Sequence, residues 1–234
     1  NNIGQTAMHI AVCNHSVSCV KALLDNCHDF SFLNLKENGG KTALDKARVN
    51  QVNPEIIHLL EQAMSGQAQQ SSAVASTSAI SAPVQQLTSN DDNDDVEIVR
   101  SSESKQITAP PYFTRDNIIE YISEEHINIR DGKGNTPLMH LALLAPIGRN
   151  LQVFSRLLAL KPDLNATSPD GYTALHFAAT NTKDTDNYLA TKLLNHGANV
   201  SKRNKAGYTA LHLACERGKP SLARLLLKKD VSLM

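Results

Sequence analysis

One eight-residue pattern recurs along this chain of 234 residues, and it limits the folds that the chain can adopt. Each copy has a glycine, a threonine two places later, then a small residue or proline and a large apolar residue. We number the copies as repeats 1 to 5 in chain order, and they begin at Gly4, Gly40, Gly134, Gly171 and Gly207. A second apolar stretch that ends in a leucine pair follows each copy. Because one such unit cannot bury its own apolar face, the pattern predicts an all-α solenoid of stacked units.

The repeated residues resemble the ankyrin repeat, whose family pattern runs G-x-T-P-L-H-x-A before a leucine-rich second helix. Repeats 4 and 5 match this pattern best, whereas Asp45 and Met139 replace the histidine in repeats 2 and 3. The resemblance covers residues 1–64 and 112–234. It implies helix-turn-helix units that are joined by short β-turn or hairpin loops.

The middle of the chain has a different composition. Residues 65–111 are rich in Ser, Ala and Gln, then acidic, and they include no aromatic residue. Such a segment buries too little apolar surface to offset the entropy of ordering, so we predict a disordered linker. Two repeats in 1–64 and a half unit plus three repeats in 112–234 would flank it. A helix is expected to begin near Thr114, and we expect residues 1–64 to dock on it and continue one solenoid.

Composition and charge exclude several classes of protein. Lys plus Arg and Asp plus Glu number 23 each, which disfavours a strongly basic nucleic-acid binder. No apolar run is long enough to span a membrane. Four cysteines favour a reducing compartment, which is the cytoplasm or nucleus, or the host cytosol for a bacterial effector. Since the chain begins at Asn1 rather than Met, we expect a fragment of a longer protein.

Nothing in the sequence has the pattern of an active site. A catalytic histidine needs a nucleophile and an orienting acid nearby, and the repeats offer neither. In the family the recurring Thr and His have a structural role, which implies that role for Thr6, His9, Thr173, His176, Thr209 and His212. We therefore expect neither an enzyme nor a cofactor.

Repeat 1 is also rich in metal-ligating residue types. Its candidates are Cys13, His15, Cys19, Cys27 and His28, but no two cysteines have the Cys-x-x-Cys spacing. The repeat register places Cys19 on the core face of the second helix. We therefore expect no metal site.

The resemblance also implies where a protein partner binds, since ankyrin proteins use their turn tips and concave face. The predicted contact residues are Pro169, Asp170, Tyr172, Asn181, Lys205, Tyr208 and Arg217. The two tyrosines are the expected anchors, although they could instead pack between adjacent turns. Eight basic residues lie between Lys202 and Lys229. A solvated face explains them first, an acidic partner peptide second and nucleic acid last.

Two short motifs suggest further roles. Val96, Ile98 and Val99 follow an acidic run and resemble a SUMO-interacting motif. An acidic spacer, a phosphorylated segment and an internal cover for the basic last repeat are the alternatives. Asn165 lies in a Leu-x5-Asp-Leu-Asn pattern that is hydroxylated in some ankyrin proteins, and simple loop capping is its alternative role.

These observations predict a non-catalytic scaffold, adaptor or regulator that binds a protein partner. A substrate-recruiting arm of a larger enzyme, such as a ubiquitin ligase or a bacterial effector, is one alternative. An IκB-like inhibitor of a transcription factor is the other. A fold of this kind hosts many functions, so none of the three follows from the fold alone.

Overall fold

In a computed structural model of the chain, the described residues are 1–26, 30–70, 108–114, 117–144, 149–184 and 187–229. Within these ranges the secondary structure is helical, without strands. The helices of repeats 1 and 2 are α1 Ala7–Cys13, α2 Val17–Asp25, α3 Ala43–Val49 and α4 Pro54–Gln70. Those of repeats 3, 4 and 5 are α5 Pro137–Leu143, α6 Arg149–Ala159, α7 Ala174–Thr180, α8 Tyr188–Asn195, α9 Ala210–Glu216 and α10 Pro220–Lys229. Short 3-10 helices span Ser31–Asn34 and Ile118–Tyr121.

The threonine of each repeat sets the start of the first helix. In repeat 1 the Thr6 hydroxyl accepts a hydrogen bond from the His9 amide, and the His9 ring accepts one from the Thr6 amide. This reciprocal cap satisfies two backbone donors that the first turn would otherwise leave unpaired. In repeat 2 the Asp45 carboxylate accepts from the Thr42 amide at 3.0 Å instead. The same cap therefore forms even where the family histidine is missing.

The repeats stack in an order that differs from their order along the chain. Among the first helices, α5 packs on α7, α7 on α9, α9 on α1 and α1 on α3. Among the second helices, α10 packs on α2, and α2 packs on α4. The spatial order is therefore repeats 3, 4, 5, 1 and 2. The prediction that residues 1–64 dock beside Thr114 is wrong, because repeat 1 lies on the far side of repeat 5.

The junction between repeats 5 and 1, which we call the seam, uses the same hydrogen bonds as the other junctions. His176 Nε2 donates to the Tyr208 carbonyl at 3.0 Å, and this bond links repeat 4 to repeat 5. His212 Nε2 donates in the same way to the Gln5 carbonyl of repeat 1 at 3.2 Å. His9 Nε2 then donates to the Lys41 carbonyl of repeat 2 at 3.1 Å. The seam therefore has the same contacts as the other two junctions, although repeats 5 and 1 are not consecutive in the sequence.

Close backbone approach explains a glycine at the seam. Gly207 has a φ of +77°, and a Cβ atom there would lie 2.7 Å from the Asn2 nitrogen. At the preceding junction, a Cβ on Gly171 would lie 2.8 Å from the Lys205 nitrogen. Both positions need a residue that has no side chain and that adopts positive φ without strain.

Residues 108–114 and 117–122 cover the other end of the stack. Phe113, Ile118 and Tyr121 are buried there, and the rings of Phe113 and Tyr121 meet edge to face at 5.3 Å. The Gly132 amide donates to the carbonyls of Pro110 and Pro111, which ties this segment to the turn of repeat 3. The helix expected near Thr114 is reduced to the 3-10 turn Ile118–Tyr121. One apolar core runs from this segment through all five repeats.

The boundary of the first block also differs from the expected one. Helix α4 continues past residue 64 to Gln70. Residues 71–107 lie outside the described residues, so the structure does not test the predicted disorder of that segment. None of the described helices is both long and apolar enough to cross a membrane.

Candidate partner-binding groove

A polar residue five positions before the threonine closes the turn of repeats 3, 4 and 5. The Ser168 amide donates to the Tyr172 carbonyl at 2.8 Å, and the Ser168 hydroxyl accepts from the Tyr172 amide at 3.1 Å. Asn204 makes the equivalent pair of bonds with Tyr208 in repeat 5. Asp131 does the same with Asn135 in repeat 3. We did not predict this role from the sequence, although the constant spacing to the threonine was a usable signal.

Between the turns of repeats 3 and 4 the surface forms a groove of about 440 Å³, which we call the Tyr172 groove. It is lined by Lys133, Asn135, Ser168, Pro169, Asp170, Tyr172 and Phe177. The ring centroids of Tyr172 and Phe177 are 5.6 Å apart, and both side chains are half-buried. The ring of Tyr172 also meets that of His176 edge to face at 5.7 Å. The groove therefore presents an aromatic wall whose two members support each other.

The predicted contact residues divide between this groove and other places. Pro169, Asp170 and Tyr172 come together in the groove, next to Phe177, which the sequence analysis missed. The Lys205 amide donates to the Asp170 carbonyl at 2.9 Å, and the Lys205 side chain is exposed beside that turn. Phe177 could have been found as the aromatic residue one position after the family histidine.

Tyr208 does not line the Tyr172 groove, although it has the same position in repeat 5 as Tyr172 in repeat 4. Its ring packs edge to face on the His212 ring at 5.8 Å. The residue equivalent to Phe177 is Leu213, which is buried. Tyr208 therefore lacks the second aromatic ring that completes the wall in repeat 4.

The prediction that Asn181 contacts a partner is wrong. Its side chain is 3% exposed, and its Nδ2 donates to the Ala142 carbonyl at 3.1 Å and to the Leu144 carbonyl at 2.7 Å. Ala142 is in the last turn of α5, and Leu144 is the residue that caps its C-terminus. Asn181 therefore joins repeats 3 and 4 internally and does not present a surface to a partner.

Arg217 is exposed, but it lies away from the groove. It lines a smaller cavity of about 260 Å³ with Asp184, Asn187 and Lys219. The Lys219 amine also donates to the Asn181 carbonyl. This cavity lies beside the turn between α9 and α10, on a different part of the surface from Tyr172.

The histidines of repeats 1, 4 and 5 are held in their neutral form by their surroundings. His176 Nδ1 lies 2.9 Å from the Thr173 hydroxyl, and the equivalent distance from His212 to Thr209 is 2.8 Å. Since Nε2 of each ring faces a carbonyl, which only accepts, Nε2 carries the proton and Nδ1 accepts. Burial lowers the pKa of His176, and burial lowers that of His212 to about 4. These rings therefore serve as turn caps and inter-repeat links.

Other predicted residues are placed as follows. Asn165 is half-buried, and its Oδ1 accepts from the Asn199 amide at 2.9 Å, which links the loops of repeats 3 and 4. Val96, Ile98 and Val99 lie outside the described residues, as do Cys27 and His28. Within the described part of the chain, no three His, Cys, Asp or Glu side chains lie close enough together to hold a metal ion.

Comparison with known families agrees with this architecture. Sequence models of ankyrin repeats match residues 1–69, 112–204 and 143–234, which is most of the chain. The comparison with curated proteins finds no match. Ankyrin repeats are in general protein-interaction modules. Apart from Gln70 at the end of α4, the matched residues include the ten α-helices described above, and the chain belongs to the ankyrin-repeat family.

Proposed function

We propose that this chain is a non-catalytic protein-binding module and that its partner inserts an apolar or aromatic side chain into the Tyr172 groove. The observation that supports this proposal is the half-buried Tyr172 and Phe177 pair beside a cavity of about 440 Å³. Aromatic residues in such pockets commonly contribute most of the energy of an interface.

Hydrogen bonds within the chain hold the turns on both sides of the groove. The Arg130 guanidinium donates to the Gly134 and Thr167 carbonyls, both at 2.7 Å, and so fixes the turn of repeat 3 against the loop before repeat 4. Ser168 fixes the turn of repeat 4 through its two bonds to Tyr172. A surface that is already ordered costs less conformational entropy when it binds.

Exposed charges at the rim indicate the chemistry of the partner. Lys133 and Lys205 are exposed near the groove, and Asp170 is the acidic residue between them. We infer a partner segment whose apolar anchor is flanked by at least one carboxylate, which either ammonium group can approach. Complementary charge of this kind favours the rate and specificity of association more than the affinity.

Quantitative pull-down from extracts of the source cells tests the proposal. The Tyr172→Ala, Phe177→Ala double variant removes the aromatic wall and should reduce partner recovery roughly tenfold or more. Tyr208→Ala is the matched control, because it removes the same side chain from the same turn position outside the groove. Circular dichroism and thermal unfolding establish that both variants are folded.

Two outcomes would contradict the proposal. Partners that are retained by the double variant but lost with Tyr208→Ala would place binding on repeat 5. Partners lost only when Val96, Ile98 and Val99 are changed to Ala would place it in the linker motif. The captured proteins also separate the narrower alternatives, since a ligase substrate and a transcription factor are different partners.

A further inference from the structure

A cavity of about 390 Å³ lies at the seam between repeats 5 and 1, and we call it the seam cavity. Its walls include the buried side chains of Met8 from repeat 1 and Leu211 from repeat 5. Ser201 and Phe32 also line it, and they belong to the loops before repeats 5 and 2. The seam cavity is distinct from the Tyr172 groove, since the two share none of their described lining residues.

A row of apolar residues runs along the loops of the stack, and we call it the loop row. In repeats 2 to 5, its member lies four positions before the residue that closes the turn, and an Asn or Ser follows it. The four pairs are Leu33-Asn34, Ile127-Asn128, Leu164-Asn165 and Val200-Ser201. Leu33, Ile127 and Val200 are buried, and Leu164 is half-buried against the same core. Each loop therefore contributes one apolar side chain to the core.

Repeat 1 has the turn but no member of the loop row. The Asn1 carbonyl accepts from the Gly4 amide at 3.0 Å, and the Asn1 Oδ1 accepts from the Gln5 amide at 2.8 Å. Asn204 makes the same two bonds in the turn of repeat 5. Asn1 therefore closes the turn of repeat 1. Because Asn1 is residue 1, the sequence has no residue four positions before it.

The seam cavity lies where the loop row is interrupted. Repeat 1 stacks between repeats 5 and 2, so its row member would lie between Val200 and Leu33. Ser201 follows Val200, Phe32 precedes Leu33, and both line the cavity. The cavity is therefore the space that a row member of repeat 1 would fill.

Hydrogen bonds between successive loops define the register of a segment that could fill this space. Asn128 Oδ1 accepts from the Asp163 amide, and Asn165 Oδ1 accepts from the Asn199 amide, both at 2.9 Å. Each acceptor follows one row member, and each donor precedes the next. The Ser201 side chain has the next acceptor position. A suitable segment therefore has an apolar residue followed by Asn or Ser, four positions before Asn1.

The last five residues of the chain have this pattern. Residues 230–234 read Asp-Val-Ser-Leu-Met, and residues 199–203 of the loop before repeat 5 read Asn-Val-Ser-Lys-Arg. If Met234 lies directly before Asn1, Val231 has the row position and Ser232 follows it. These residues come after α10, which ends at Lys229 and packs on α2 of repeat 1. They lie outside the described residues.

We propose that residues 230–234 dock in the seam cavity, where the Val231 side chain completes the loop row and Met234 comes to lie beside Asn1. Val231 then contacts Met8 and Leu211, and the Asp230 amide faces Ser201. The segment lacks equivalents of Gly197 and Ala198, so it runs straight where the loop before repeat 5 makes a turn. Six residue steps from Lys229 to Asn1 reach up to about 20 Å when extended.

Two variants of the full chain test the docking by thermal unfolding. Val231→Asp removes the apolar side chain from the cavity and should lower the Tm by roughly 3–6 °C. Leu233→Asp is the matched control, because it makes the same kind of change two positions away. Leu233 corresponds to the exposed Lys202, and its replacement should shift the Tm by less than about 1 °C.

Photo-cross-linking locates the segment directly. Benzoylphenylalanine replaces Val231 in one sample of the full chain and Leu233 in another, and dilute protein is irradiated before tryptic digestion and mass spectrometry. We expect the label at 231 to join the peptides that contain Met8 or Leu211 within one molecule, and the label at 233 to join them at least fivefold less.

Three results would overturn the proposal. Equal shifts in Tm for the two aspartate variants would mean that Val231 has no special place in the segment. A label at 231 that does not reach the cavity peptides would place the segment elsewhere. Cross-links that form only between chains would mean that the cavity of one copy holds the segment of another.

Discussion

His212 shows how one residue can depend on two distant parts of the chain. Its Nδ1 accepts from the Thr209 amide within repeat 5, and its Nε2 donates to the Gln5 carbonyl across the seam. A second ring proton would face the Thr209 N–H, so protonation removes a hydrogen bond and places a charge in a buried site. Burial is also the main reason that the pKa of His212 falls to about 4.

The stability of the chain should therefore decrease in mild acid. For His212 the folded-state pKa of about 4 lies below the ordinary value of 6.5. Its contribution is fully present above pH 6.5 and is lost as the pH falls through 4. The loss amounts to about 3 kcal/mol between those values. Urea unfolding at a series of pH values should show that, between pH 6.5 and pH 4, the free energy of unfolding falls less for His212→Gln than for the wild type. Parallel curves would contradict this assignment.

Gly207 tests the seam by a second route, with Gly40 as its matched control. Both have positive φ, +77° and +74°, so alanine costs each about 1–2 kcal/mol of backbone strain. A Cβ on Gly207 would also collide with the backbone of Asn1 and Asn2, whereas nothing lies within 4 Å of one on Gly40. Gly207→Ala should therefore destabilise the chain by about 1–3 kcal/mol more than Gly40→Ala. Equal losses in urea unfolding would mean that nothing packs against Gly207.

At the scale of helices and turns, local sequence predicts most of what is observed. Each first helix begins after the repeated threonine, because its hydroxyl and the residue three places later cap each other. Asn181 was misplaced because its counterpart in repeat 5, Arg217, is exposed, and the sequence alone does not show that Asn181 bonds the carbonyls of Ala142 and Leu144.

Asn181→Ala should reduce stability because it removes the donor for two carbonyls at the end of α5. Leaving buried acceptors without partners costs about 1–3 kcal/mol, and we expect a loss of about 2 kcal/mol. Thr182→Ala is the control, since Thr182 is an exposed neighbour and should change stability by less than about 0.5 kcal/mol. Thermal unfolding and pull-down together check the result. A stable Asn181→Ala variant that loses its partner would restore Asn181 to the binding surface.

For the whole molecule, the order of the repeats could not be derived from the sequence. Every repeat offers similar faces to its neighbours, so residues 1–64 fit either end of the other block, with repeat 2 on the half unit or repeat 1 on repeat 5. Pro110 and Phe113 of the half unit are buried, and this segment covers repeat 3. At repeat 5, the turn of repeat 1 instead contacts His212 and Gly207: the Gln5 carbonyl accepts from His212, and Asn2 lies against Gly207. The groove was partly predictable for a related reason, since Tyr172 was visible in one repeat but the groove is also lined by Lys133 and Asn135 of another.

Distances between pairs of labelled residues should differ sharply between the observed order of repeats and stacking in chain order. Ser18 on α2 and Ser221 on α10 are exposed and belong to helices that pack together. Nitroxide labels introduced there as noncanonical amino acids should lie within roughly 25 Å, given helix spacings of 8–10 Å. Labels at Ser18 and at exposed Glu120 should lie about 40 Å apart, because repeats 3, 4 and 5 separate them.

Stacking in chain order would reverse that ranking, since only repeat 2 would then separate repeat 1 from Glu120, whereas repeat 2, the half unit and repeats 3 and 4 would separate it from Ser221. Dilution of the labelled chain with excess unlabelled chain adds the necessary control. A short distance from Ser18 to Ser221 that survives dilution arises within one molecule, because pairs formed between copies would be replaced by unlabelled partners. A short distance that disappears on dilution would instead place repeat 1 of one copy on repeat 5 of another. Such a result would contradict a stack formed within one chain, although the contacts at the seam would stay the same. It would therefore show that the two sides of the seam come from different copies.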